Sequence, residues 1–180
     1  RIVDGIFVAT EYHRNLLIDT KTISSKRKIH VTGFPIYPEM QADVPKEKLV
    51  VFPHRKDEEK QPELFEALAK DLQDTGWNFV YTVDACKSKA EYYSLLNRAS
   101  IAVSFALQET WGIAMQESVF CGAVPICPNR LSYSEMYPKE YLYLTYADAV
   151  DKVRYWIETL ETSKWDSFFI AHPLLQSGRK

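Results

Sequence analysis

The chain has 180 residues, 46% hydrophobic and 26% charged, a makeup that fits a soluble globular protein with one real core and excludes wholesale disorder. Its 22 Lys plus Arg against 24 Asp plus Glu leave a formal charge of -2, so no basic field advertises nucleic acid or anionic lipid, and the cluster Lys21, Lys26, Arg27 and Lys28 reads as a solvated loop. Cys86, Cys121 and Cys127 show no CxxC and no histidine partner at metal spacing, which points to reduced thiols in a cytoplasmic setting and to no structural metal.

Residues 6–9 read as a strand, with Thr10 as N-cap of a helix over 11–18, and 29–31 begin another extended piece. The proline-rich stretch 33–45 reads as a linker. Residues 49–52 form a buried strand, and 58–74 carry Leu64, Leu68 and Leu72 at helical spacing. A strand over 77–83 and a helix over 89–97 follow. The apolar run 99–104 is a buried strand, a helix opens near Gly112 and closes at Gly122, and Val124-Pro125-Ile126-Cys127 starts the next strand. A short helix at 133–136, a strand at 141–143 and a helix from 148 to about 160 complete the series.

Strict alternation predicts an α/β, Rossmann-like parallel sheet with helices on both faces over residues 48–180, ending in a helical segment. Residues 1–47 are too few for a second complete domain and read as the tail of one plus a linker. Beginning at Arg1 rather than Met, the chain reads as a piece of a longer protein. No apolar run approaches a membrane helix, and no secretory leader opens the sequence.

The segment from Glu109 to Glu117 sets two carboxylates seven residues apart, the second on the helix that opens near Gly112. Such spacing can bring one acid to a sugar ring and the other to a ribose, with a helix N-terminus aimed at the phosphates between. A nucleotide-sugar site is the leading reading. In the plainer account Glu109 caps a helix and Glu117 lies on a solvated face. The surrounding strand-loop-helix-strand unit favours the site, because open α/β sheets bind ligands beyond the carboxyl ends of their strands.

A second charged cluster, residues 53–60, follows the first strand of the same sheet. Lys56, Asp57, Glu58 and Glu59 fit a solvated turn and an acid-rich helix start. Arg55 and Lys60 differ, since a guanidinium fork and a mobile ammonium flanking a strand-to-helix turn suit a diphosphate.

Together these segments resemble the C-terminal, donor-binding domain of retaining GT-B glycosyltransferases. The family shows an Arg, four residues and a Lys after the first strand, and Arg55 and Lys60 keep that interval. It then shows a small-residue strand, a Glu-Gly-Phe-Gly run, a second Glu and a Gly-x-Pro strand. Ser104, Glu109 to Gly112, Glu117 and Gly122-Ala123-Val124-Pro125 stand in that order. His54 and Thr110 replace usual glycines, Trp111 a usual phenylalanine, and Gln61-Pro62 follow Lys60 where glycine is usual. The likeness covers residues 48–130, and residues 1–20 look like the last strand and helix of the N-terminal domain.

The resemblance implies a hexose transferred with retention from a UDP-, GDP- or ADP-sugar to an unassigned acceptor, without a metal. It implies catalytic roles for Arg55, Lys60 and Glu109, the first two neutralising the departing diphosphate and the third holding the sugar's hydroxyls. Backbone around Trp111, Gly112 and Ile113 would meet sugar and phosphates, Glu117 the ribose diol, and the base would lie near residues 83–89 with Tyr92 or Tyr93. The acceptor pocket would belong to an N-terminal Rossmann-like domain, so the chain alone is expected to transfer nothing; His13 and His30 read as surface residues. Rival readings are an epimerase or phosphorylase of the same architecture, or a nucleotide-binding scaffold without chemistry.

Overall fold

Leu49, Val50, Val51 and Phe52 are all buried, the continuous apolar run of a central strand covered on both faces. The computed structural model describes residues 4–162 apart from 25, 40, 42 and 43, and places this strand, β3, second in a five-stranded parallel sheet. Its companions are β4 (Asn78–Tyr81), β5 (Ile101–Val103), β6 (Val124–Pro128) and β7 (Leu142–Tyr143), in the order β4-β3-β5-β6-β7. Val50 pairs with Ile101 and Phe79, and Ala102 with Pro125, so every neighbour runs the same way.

Helices α2 (Pro62–Asp71), α4 (Lys89–Arg98), α5 (Ile113–Phe120) and α7 (Tyr146–Thr162) provide the crossovers and cover. Helix α2 packs beside α7, and α4 beside α5. Helix α7 turns Ala149, Val153, Trp156, Ile157 and Leu160 inward, a spacing of three and four that makes one apolar stripe. Two short helices, α3 (Thr82–Ala85) and α6 (Tyr133–Met136), fill the turns after β4 and β6.

The opening residues form a separate unit. Strands β1 (Ile6–Val8) and β2 (Ile29–Val31) pair in parallel across helix α1 (Glu11–Asp19), whose N-cap Thr10 accepts from the His13 amide. The four basic residues of the α1–β2 loop are exposed, and His30 stacks on Phe7 with ring centroids 5.0 Å apart. The following linker is held rather than free. The Asn97 side chain donates to the Glu39 carbonyl and accepts from the Gln41 amide, while Lys46 reaches the Ala99 carbonyl.

Two elements differ from the sequence reading. The single helix expected over 58–74 is broken into a 3-10 turn (Glu58–Lys60), α2 and a second 3-10 turn (Gln73–Thr75). Pro62 bars the preceding residue from right-handed helix, and Gln61 turns to φ 52, ψ 58 instead. The expected strand over 77–83 ends at Tyr81, where the chain folds into α3. The C-terminal helix expected from 148 to about 160 is present as α7, and the remainder of the expected domain, residues 163–180, lies outside the described residues. Among the described residues no helix is long and apolar enough to cross a membrane.

The left-handed backbone of Gln61 is strained for a residue with a Cβ. Gln61→Gly should relieve it and, after the extra entropy of glycine in the unfolded chain, raise stability by about 0.5 kcal/mol, read from urea midpoints.

Candidate functional site

Between β3 and β5 the winding of the sheet reverses, so the chains leaving their carboxyl ends part toward opposite faces and open a crevice. Residues 53–61 border it from β3, and 104–112 from β5. At its floor the buried imidazole of His54 sits 2.9 Å from Ser104 Oγ, which is 3.0 Å from the hydroxyl of fully buried Tyr133. The Ala106 amide also donates to Ser104 Oγ, and Tyr143 donates to the Ser104 carbonyl. Burial and the nearby Lys60 ammonium together push the His54 imidazole down to about 4, outweighing the Glu109 carboxylate, so it is neutral at physiological pH.

The wall above is the turn 108–112. Lys60 Nζ donates to the Gln108 carbonyl at 2.6 Å and lies 3.4 Å from Glu109 Oε2. Glu109 Oε1 accepts from the amides of Thr110 (3.0 Å) and Trp111 (3.3 Å). Burial alone would raise the Glu109 carboxyl, but the Gly112 amide, Lys60 and the Trp111 and Thr110 amides outweigh it and hold it below the usual range. Gly112, at φ 70, turns the chain into α5 directly over Tyr133. From the opposite side Thr10 Oγ1 donates to the Thr110 carbonyl at 3.0 Å, and the Glu11 and Tyr12 amides donate to the two oxygens of Glu135, each at 3.0 Å. The N-terminal unit is thereby seated against this wall.

Glu117, one helical turn into α5, is 7% exposed and accepts from three side-chain donors. Its Oε1 accepts from Lys89 Nζ (2.8 Å) and the Tyr93 hydroxyl (2.7 Å), and its Oε2 from the Tyr92 hydroxyl (2.9 Å). Burial pushes both phenols upward and the Glu117 carboxylate adds to it, so both stay protonated as donors.

The fold has relatives among solved structures. A TarM variant from S. aureus, in complex with Fondaparinux, alpha-GlcNAc-glycerol and UDP, matches with TM-score 0.65 at 16% identity, over 87% of this chain and 37% of that one. The pneumococcal O-GlcNAc transferase GtfA, in complex with UDP and GlcNAc, matches with TM-score 0.61 at 14% identity, over 88% and 38%. Sucrose-phosphate synthase from Thermosynechococcus elongatus matches with TM-score 0.62 at 14% identity, over 99% and 57%. The chain has the fold of one half of a GT-B glycosyltransferase. In sequence, the tRNA-queuosine alpha-mannosyltransferase of Drosophila melanogaster is 40% identical over 94 residues, 52% of this chain and 23% of that protein. The chain thus spans less than a quarter of the length of this curated relative. No family model matches it.

Lys60 and Glu109 meet at the crevice, Trp111, Gly112 and Ile113 follow Glu109 through the turn into the start of α5, and Glu117 lies one turn beyond. Arg55 stands at the same sheet end but outside the cluster, its side chain 76% exposed and paired with Asp57 at 3.0 Å. Lys56 is exposed, as its sequence context implies, pairing with Asp84 and lying 3.9 Å from the Tyr81 ring centroid. The amides of Thr110 and Trp111 face Glu109 within its own turn, while α5 opens at Gly112 with no side-chain cap, so Glu109 does not cap the helix, contrary to the plainer sequence account. The other half of that account fails as well, because Glu117 is buried. His54 is the residue that sequence reasoning passed over as a glycine replacement; a histidine two residues after a fully buried strand was the available signal. No group of three or more His, Cys, Asp or Glu among the described residues could hold a metal ion, and the three cysteines are free thiols.

A Cβ at Gly112 would lie 2.8 Å from Tyr133 Cε1, and Tyr133 has no room to retreat. Gly112→Ala should therefore cost about 2 kcal/mol or more, from the left-handed backbone plus the clash, read by urea denaturation. His54 carries a pH signature. Its folded value, about 4, lies below the ordinary 6.5, so the unfolded chain binds the proton more tightly and stability is lost as pH falls through that window. By pH 4.5 the loss should be about 2 to 3 kcal/mol relative to pH 7, and it should be absent from His54→Gln in the same pair of urea titrations.

Proposed function

We propose that the chain is the donor-binding half of a retaining glycosyltransferase, moving a hexose from a nucleoside diphosphate sugar to an acceptor held mainly by an N-terminal Rossmann-like domain. The observation that carries this reading is the junction of Lys60, the Gln108 carbonyl and Glu109 at the switch point of the sheet, where ligands of open α/β folds sit. Lys60, aided by Arg55, would meet the diphosphate, whose negative charge grows as the glycosidic bond breaks. Arg55 is free to do so at small cost, because an exposed pair such as Arg55–Asp57 is worth at most about 1 kcal/mol.

Glu109 would accept hydroxyls of the hexose, backbone at Trp111, Gly112 and Ile113 would line the sugar and phosphates, and Glu117 would take the ribose. The acceptor hydroxyl attacks the anomeric carbon on the face from which the diphosphate leaves, and a departing phosphate oxygen takes the hydroxyl proton. No carboxylate nucleophile is needed, which separates Glu109 and Glu117 from the paired acids of a retaining glycosidase. Likeness to the tRNA-queuosine alpha-mannosyltransferase favours mannose as the sugar and a tRNA nucleoside as acceptor. UDP in the TarM and GtfA structures supports a nucleoside diphosphate leaving group. A reducing, cytoplasmic setting suits the free thiols.

Calorimetric titration of the 180-residue chain with UDP, GDP and ADP tests the reading. One of the three should bind, and Lys60→Ala should weaken that binding about tenfold or more, as expected for loss of a charge-assisted phosphate contact. The chain alone should show no transfer. Flat heats with all three nucleotides would instead favour a scaffold without a donor site.

A further inference from the structure

Glu117 has fewer open positions than a diol requires. A carboxylate offers about four lone-pair sites, two on each oxygen. Lys89 and Tyr93 occupy both on Oε1, and Tyr92 occupies one on Oε2. One acceptor position remains, so two vicinal hydroxyls cannot both donate while Lys89 stays in place.

The three donors are not equivalent. Tyr93 is buried, and Tyr92 is partly buried on the same turn of α4, stacked obliquely on Tyr93 with ring centroids 5.5 Å apart. Lys89 is the first residue of α4, its side chain is 62% exposed, and its ammonium hovers over both phenol rings at 5.0 and 4.6 Å from their centroids. The tyrosines are the fixed frame of Glu117. Lys89 is the adjustable member.

We propose that Lys89 is a specificity-determining residue of the donor site. With its ammonium on Oε1, Glu117 reads a single ribose hydroxyl, through Oε2, in place of the chelated pair that the bare Glu-x7-Glu pattern implies. This inference rests on the proposed donor site, and deepens it from "a ribose is bound" to "one of its two hydroxyls is recognised here". A buried carboxylate penalises the loss of the hydroxyl it accepts, and is indifferent to the one it cannot reach.

The test is calorimetry of the 180-residue chain with whichever of UDP, GDP or ADP binds, compared with its 2′-deoxy and 3′-deoxy forms. One deoxy form should bind about tenfold or more weaker, the range expected for a lost hydrogen bond to a charged acceptor, and the other within about twofold of the ribonucleotide. In Lys89→Met, whose exposed side chain leaves the fold intact by circular dichroism, Oε1 gains a free position and the two deoxy penalties should become equal within about twofold. Equal penalties in the unmodified chain, or an asymmetry that survives Lys89→Met, would overturn the proposal while leaving the donor site standing. Absence of binding by all three ribonucleotides would overturn both.

Discussion

A row of three buried polar groups, the His54 imidazole, the Ser104 hydroxyl and the Tyr133 phenol, holds the mouth of the sheet together. Each comes from a different stretch: the end of β3, the end of β5, and α6. In a low-dielectric interior such a chain is strong when fully satisfied and costly when broken, so it fixes the relative position of the two loops that border the crevice. Tyr133 then serves twice, because its ring is also the platform on which Gly112 turns into α5. Neutral His54 suits this place. A charged imidazole here would face Lys60 and lose its solvation at once.

The layering of the fold was legible because its signals are local and redundant. A parallel sheet buried on both faces demands unbroken apolar strands, and 49–52, 101–103 and 124–128 announce themselves that way. The N-cap at Thr10 and the helix start after Gly112 were equally direct, since each follows from one residue's chemistry. The break at Gln61 was less so. Leucines at helical spacing on both sides of it argue for continuity, and the restraint that Pro62 places on its predecessor prevails over that periodicity.

The site was only half legible, for a physical reason. Charge and spacing tell which groups lie at one rim, and Lys60 with Glu109 duly meet there. They do not tell who satisfies whom. Glu109 is close to its own backbone amides, and a short loop offers it those partners before any ligand does. Arg55 has Asp57 two residues away. The partners of Glu117 sit on α4, 24 to 28 residues earlier, and nothing in the Glu-x7-Glu spacing records them.

The N-terminal unit bears on the site more than its size implies. Thr10 spends its proton on the Thr110 carbonyl, and Glu135 takes the first two amides of α1, where the helix's own positive end favours a carboxylate. The turn 108–112 is therefore pinned from one side by Lys60, from below by Tyr133 and from the other side by a segment belonging to a different sheet. A turn gripped this way cannot shift with respect to α1 without breaking the Thr10–Thr110 hydrogen bond. Any motion of the β1–β2 unit must accordingly be felt at Glu109, which links the placing of whatever that unit carries to the geometry of the acid at the crevice.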